Sequence, residues 1–214
     1  ATLRQTADES GVRDGMDLAL CSYNPTSKVL QYSGAYNPAY IVSSSENLSV
    51  AREREIDALH PRVVASKTPK EAVGQLEAVD VSNNGKEGLE SQLRGYEDVV
   101  YDAVMSMEKK HLFEIKGDKL PIGVNLDGVV DIYTNNTVQL NTGDTVYLFS
   151  DGYADQFGGP ENRKFKYHRL KALLLSIQDK SMIKQKRILV KTFSQWKGNE
   201  DQIDDVLIMG LRVG

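Results

Sequence analysis

The sequence has one cysteine, three histidines and no long apolar run, and these shortages exclude several classes of protein. A single cysteine excludes an internal disulfide and is typical of a reducing cytoplasm, where we expect this protein to lie. No stretch approaches the roughly 20 apolar residues that span a bilayer, and the first residues lack the apolar core of a signal peptide. We therefore expect no membrane contact. Cys21 continues the apolar run 16–20, so we expect a buried structural thiol and not a nucleophile.

An excess of basic residues is also missing. The chain has 26 Lys and Arg against 30 Asp and Glu, a formal net charge of −4. Nucleic-acid-binding domains are usually basic, so we expect no nucleic-acid partner. The length of 214 residues and the hydrophobic fraction of 40% fit one globular domain.

The order of apolar patterns predicts an α+β fold. Residues 14–42 read as a hairpin with a turn at 24–27 and a third strand at 39–42. Further strands are predicted at 112–116, 129–133, 137–140, 146–150 and 206–213. Between the last two, apolar spacing predicts two amphipathic helices, one around 170–177 and one that Ser181 caps. Strands and helices in separate runs indicate antiparallel sheets and not a doubly wound fold.

The segment 43–111 has a different character, and we predict that it is a helical insertion. Thr68, Pro69 and Glu71 form a good helix start. A heptad seam follows, formed by Leu89, Leu93, Tyr96, Val100, Ala103 and Met107. Two interpretations stay open: a helix that packs on its own domain, and a helix for dimerisation or docking.

Carboxylates follow or precede two apolar strands. The segment 145–149 leads directly into Ser150-Asp151-Gly152, and Asp204-Asp205 opens the apolar run 206–211. Acidic residues at strand ends present oxygen ligands to hard divalent cations. The alternative is that these are aspartates of ordinary strand-end turns.

Four motifs occur in a familiar order: Asp14-Gly15-Met16-Asp17, Leu120-Pro121-Ile122-Gly123, Leu148-Phe149-Ser150-Asp151-Gly152 and Asp201-Gln202-Ile203-Asp204-Asp205-Val206. Together they resemble the C-terminal part of the SpoIIE-type phosphatase domain, among the metal-dependent serine/threonine phosphatases related to protein phosphatase 2C. The resemblance covers residues 12–42 and 112–213. It implies two antiparallel sheets packed as a sandwich and flanked by helices. It also implies two Mn²⁺ or Mg²⁺ ions that activate water for attack on phosphoserine or phosphothreonine.

The same resemblance assigns roles to individual residues. Asp151 and Asp204 match metal ligands of the family. Gly152 is expected to lie at the metal through its backbone, which it lets turn sharply there. Asp205 is also assigned to the metal site, and Asp205 and Asp201 are candidates for a supporting role around the ligands. Asp155 is expected to be a loop residue that orients its surroundings.

One family motif does not occur in this sequence. The first metal motif, Asp-Gly followed by Gly-His-Gly, is missing, so we expect residues 1–214 to be the C-terminal portion of a domain that is incomplete at its N-terminus. We expect this chain alone to bind metal poorly and to have little activity.

The partners follow from the resemblance. The substrate would be a phosphorylated protein, in this family often an anti-sigma-factor antagonist, and an upstream sensor or regulatory domain is expected. A homodimer through an exposed sheet edge is a further hypothesis. The main alternative is a non-catalytic interaction module on a phosphatase-like scaffold. An unrelated calcium-binding domain is weaker, because no loop has EF-hand spacing.

Overall fold

Short strands with tight connections dominate the computed structural model, which describes residues 15–53, 72–79, 110–122 and 133–214. The strands are β1 (Leu18–Asn24), β2 (Val29–Ala35), β3 (Ala39–Ser43), β4 (Leu48–Glu53), β5 (Ala72–Leu76), β6 (His111–Ile115), β7 (Asn135–Gln139), β8 (Thr145–Phe149), β9 (Phe157–Gly158), β10 (Arg163–Lys164) and β11 (Ile208–Arg212). The helices are α1 (Gly152–Asp155), α2 (Tyr167–Ser176) and α3 (Met182–Lys197).

The strands form two larger sheets in which every neighbouring pair is antiparallel. The first sheet has the order β1-β2-β7-β4-β5, and the second has the order β11-β8-β3-β6. Strands β9 and β10 form a separate small hairpin. The predicted antiparallel sandwich is therefore confirmed.

Strand β3 explains how the layers are stacked. All five of its residues are buried, although successive side chains of a strand point to opposite faces. Ala39 and Ile41 belong to a core shared with the first sheet, whereas Tyr40 and Val42 belong to a second core with the helices. The second sheet is thus the central layer, covered by the first sheet on one face and by α2 and α3 on the other.

The two helices pack through apolar faces, although Ile183 of α3, which the apolar spacing also assigned to that face, is exposed. Leu170 and Leu174 of α2, and Leu189 and Trp196 of α3, are buried in the second core. Ser181 caps α3, since its hydroxyl accepts a hydrogen bond from the amide of Lys184 at 3.5 Å. Both predicted helices are confirmed.

The prediction of a helical insertion is wrong for two stretches of 43–111. Residues 48–53 form β4 and residues 72–76 form β5, and both strands belong to the first sheet. In β4, Leu48 and Val50 are buried while Ser49 is exposed, which is the alternation of a half-buried strand. The predicted helix start at 68–71 lies outside the described residues, and β5 begins directly after it. The heptad seam at 89–107 and most of the predicted strand 129–133 lie outside the described residues.

The expectation of a buried Cys21 is also wrong, since its thiol is exposed. The cause is the position of β1 at the edge of the first sheet, where even Ala19 and Tyr23 are only half-buried.

The second sheet also ends in an edge strand with exposed apolar side chains, Met209 and Leu211 of β11. Within the described ranges, no helix is long and apolar enough to cross a membrane.

Candidate metal centre

The end of β8 and the start of β11 meet at one end of the central sheet. These strands are antiparallel neighbours, with Phe149 opposite Ile208. The hydroxyl of Ser150 donates to the carbonyl oxygen of Asp205 at 2.7 Å and accepts from the amide of Leu207 at 2.9 Å. The amide of Ser150 donates to the carbonyl oxygen of Leu207 at 3.1 Å. These bonds hold Asp151 beside the loop that carries Asp204.

The carboxylate of Asp151 lies among other negative charges. Partial burial raises its pKa, and the charges of Asp204, Asp155 and Asp17 raise it further, in that order. An opposite charge would favour the ionised form, so a bound cation would relieve both effects. The two aspartates that the sequence indicated as ligands are therefore close enough to interact.

Hydrogen bonds fix the loop before β11. A carboxylate oxygen of Asp204 accepts from the amide of Asp205 at 2.7 Å, and the Asp204 carbonyl accepts from Nε2 of Gln202 at 2.8 Å. Asp201 supports the loop through its backbone, since its carbonyl accepts from Nε2 of Gln156 at 2.8 Å. Asp205 lies at the junction with its backbone carbonyl bound to Ser150 and its side chain exposed.

Gly152 is required here for space. It is the first residue of α1, and a Cβ atom at this position would overlap the carbonyl oxygen of Asp205. Its φ is not in the left-handed region, so the close approach of the Asp205 backbone, and not a special backbone angle, explains the glycine. The glycine thus lets the two acidic segments come together.

Asp17 is a further carboxylate close to Asp151, and its sequence motif predicted no role for it. Met16 and Ile122 form an isolated antiparallel bridge with N–O distances of 2.8 and 2.9 Å, which fixes the residue before Asp17. The charge of Asp17 raises the pKa values of both Asp151 and Tyr167. Asp17 belongs to the motif at 14–17, so the sequence contained a hint of its importance. Only the fold shows that Asp17 approaches Asp151 at the end of β8.

Asp155 occupies the last position of α1, and its amide donates to the carbonyl oxygen of Asp151 at 2.9 Å. Its carboxylate pairs with Nζ of Lys164 in β10 at 2.9 Å. It therefore ties the small hairpin to the acidic end of β8, although it lies in α1 and not in a loop as expected.

The donor set has the chemistry that Mg²⁺ or Mn²⁺ requires, because carboxylate oxygens are the preferred ligands of such hard cations. It is not a complete site. Among the residues that the structure describes, no group of three or more Asp, Glu, His or Cys side chains could hold a metal ion. The described carboxylates fit a metal as part of its coordination shell.

The chain is similar to a known protein family and to solved structures. Residues 103–214 match the family Stage II sporulation protein E (SpoIIE). The SiaA-PP2C domain of Pseudomonas aeruginosa is similar at 22% identity and a TM-score of 0.49, over 87% of this chain and 47% of that one. The phosphatase domain of the cell fate determinant SpoIIE from Bacillus subtilis is similar at 10% identity and a TM-score of 0.39, over 92% of this chain and 58% of that one. No curated protein sequence matches significantly.

The chain spans about half the length of these solved structures. The family match, in contrast, covers more than half of this chain and includes the strand end at Asp151 and the loop at 201–205. The chain therefore belongs to the Stage II sporulation protein E (SpoIIE) family.

Proposed function

We propose that this chain is part of a metal-dependent phosphoprotein phosphatase that hydrolyses phosphoserine or phosphothreonine. The observation that carries the proposal is the approach of Asp204 to Asp151, held by the hydrogen bonds of Ser150. A pair of carboxylates in mutual repulsion is a site that gains free energy when a divalent cation binds. Family membership supports the same reaction class.

Asp151 and Asp204 would hold Mn²⁺ or Mg²⁺, and Gly152 would keep their two segments in contact. Such ions, when bound, lower the pKa of a coordinated water and neutralise charge on a phosphoryl group. Asp205 would act through its backbone carbonyl, which holds Ser150, and not through its side chain. Asp17 and Asp155 would add negative charge that favours cation binding.

We propose a phosphorylated protein in the cytoplasm as the substrate, with an anti-sigma-factor antagonist as the first candidate, and a sensor or regulatory domain in the same polypeptide. A further ligand, from a segment with the Asp-Gly and Gly-His-Gly motif, would complete the metal site. A homodimer stays a prediction; the exposed apolar residues of β1 and β11 support it.

The test compares this chain with the full protein as its gene encodes it. We expect calorimetry to detect weak Mn²⁺ binding by the 214 residues, and Mn²⁺-dependent hydrolysis of p-nitrophenyl phosphate by the full protein only. Asp151→Asn in the full protein should abolish turnover and keep the circular dichroism spectrum. Wild-type turnover by that variant would refute the metal assignment.

A non-catalytic interaction module is the second candidate. It is favoured by the lack of a three-ligand cluster within the described ranges. The same assay distinguishes the two candidate functions. If the protein is a non-catalytic module, the full protein will not hydrolyse p-nitrophenyl phosphate at any Mn²⁺ concentration.

A further inference from the structure

Helix α3 carries charge of one sign only. Five of its 16 residues are basic, namely Lys184, Lys186, Arg187, Lys191 and Lys197, and none is acidic. Since the whole chain has a net charge of −4, the residues outside α3 together carry a net charge of −9. A strongly basic helix therefore lies on an otherwise acidic molecule.

Four of these cations are exposed, and they lack ionic partners among the described residues. Lys184, Lys186, Arg187 and Lys191 all face solvent. The ion pairs of the described part of the chain join other residues, such as Lys164 with Asp155 and Lys171 with Glu114. As far as the described part of the chain is concerned, the basic face of α3 is open to a further anion.

This arrangement costs the isolated helix stability. Lys184 and Arg187 are three residues apart, and Arg187 and Lys191 are four apart, so like charges are neighbours on the helix surface. Lys184 also lies in the first turn, where the helix dipole disfavours a positive charge and where α3 has no acidic residue. Residues that weaken a helix in this way, without a contact that offsets the loss, are expected at functional positions.

Two aliphatic side chains lie among the cations. Ile183 is 69% exposed and Val190 is 58% exposed. They are seven residues apart, so they lie on the same side of the helix, about 10 Å from each other along its axis. The opposite side is anchored, because Gln185, Leu189 and Trp196 are buried against the sheet. The exposed surface is thus a fixed basic helix face with two apolar contact points.

We propose that the outer face of α3, defined by Ile183, Lys184, Arg187, Val190 and Lys191, docks an acidic amphipathic helix of a partner protein. Aliphatic residues at a seven-residue interval occupy equivalent positions of a heptad, the repeat by which helices pair, and the charges beside them influence the choice of partner. An acidic helix with an aliphatic seam would satisfy both the apolar points and the cations. This assignment is independent of the metal centre.

A protein partner is favoured over a lipid surface. Helices that bind in the plane of a membrane bury a broad apolar face in it. The broad apolar face of α3 is already buried against the central sheet, and only Ile183 and Val190 are available outside. An anionic membrane would therefore be held by charge alone.

The experiment measures binding to a designed 21-residue helical peptide, with leucine at heptad positions a and d and glutamate at e and g. Fluorescence anisotropy of the labelled peptide at 0.15 M salt gives the dissociation constant. We expect Lys184→Glu/Arg187→Glu to weaken binding at least tenfold. Lys116→Glu/Lys119→Glu, two exposed lysines in another region, makes the same change in net charge and should weaken it less than twofold.

The apolar contribution is tested separately with Ile183→Ser/Val190→Ser, which we expect to weaken binding about fivefold at unchanged charge. Circular dichroism and the fluorescence of Trp196 verify that each variant is folded. Equal losses in the two charge variants would overturn the proposal, as would wild-type affinity in the serine variant. Binding to phosphatidylserine vesicles that exceeds peptide binding and ignores the serine changes would assign this face to a membrane instead.

Discussion

The hydroxyl of Tyr147 donates a hydrogen bond to Oε1 of Gln185 at 2.5 Å, and this contact joins the central sheet to α3. The same hydroxyl accepts from Nε2 of Gln178 at 2.7 Å. Tyr147 and Gln185 are each about 1% exposed, so both partners depend on this bond to satisfy polar atoms that water cannot reach. The bond also fixes the helix whose outer face we propose as a docking surface.

Tyr147→Phe should therefore destabilise the protein by about 1–3 kcal/mol, because it leaves the buried Oε1 of Gln185 without its donor. The free energy of unfolding in urea, followed by the fluorescence of Trp196, measures this. Tyr40→Phe is the matched control. The Tyr40 hydroxyl is buried and has no hydrogen-bond partner among the residues that the structure describes, so its removal should be neutral or stabilising. Equal destabilisation by the two variants would contradict the assignment.

Alkaline pH should unfold the protein through the same tyrosine. Burial raises the pKa of Tyr147 to about 12, against the ordinary value of 10.0, although its hydrogen bonds and Arg212 lower it. The folded state then holds a proton that the unfolded state releases. Stability is full below pH 10 and falls as the pH rises toward 12. Tyr32, Tyr40 and Tyr153 shift in the same direction and steepen the loss. Urea midpoints at pH 8, 10 and 11 should decrease progressively, and a constant midpoint would refute the prediction.

Gly152→Ala should destabilise the β8–β11 junction. The added methyl group would overlap the carbonyl oxygen of Asp205, a backbone atom that cannot move aside alone. Overpacking of this kind costs about 1–3 kcal/mol. Gly74→Ala is the control, since no atom of the described ranges lies within 4 Å of its new methyl group. That variant should be neutral or slightly stabilising. Urea unfolding compares the two, and equal stabilities would show that the junction is not closely packed.

The sequence predicted the elements whose local pattern and tertiary surroundings agree. The hairpin at 18–35, the cap at Ser181 and the acidic strand end at Asp151 are cases in which spacing and residue type suffice. The prediction that Cys21 is buried was wrong, because a strand at the edge of a sheet can leave an apolar run exposed.

Two further results depend on pairing between distant parts of the chain. Strand β5 follows residues whose pattern predicts the start of a helix. It nevertheless pairs with β4, which lies well before it in the sequence. The nearness of Asp17 to Asp151 follows from the β-sheet packing and cannot be read from either motif alone. Tertiary contacts override local preference at such positions.

Asp151→Asn should stabilise the 214-residue chain when EDTA removes divalent cations. Burial and the charges of Asp204, Asp155 and Asp17 raise the folded-state pKa of Asp151 above its ordinary 3.8. The ionised carboxylate therefore opposes folding once the pH rises through that pKa, and asparagine, which removes the repulsion, should raise the stability at pH 7. Adding Mn²⁺ should reverse the order, because the wild type gains the free energy of metal binding and the variant loses a ligand. Asp179→Asn, which removes the partner of Lys180 instead, should lower stability slightly with or without Mn²⁺. Thermal unfolding measures all three proteins, and a wild type that remains more stable than Asp151→Asn in EDTA would exclude repulsion at this carboxylate.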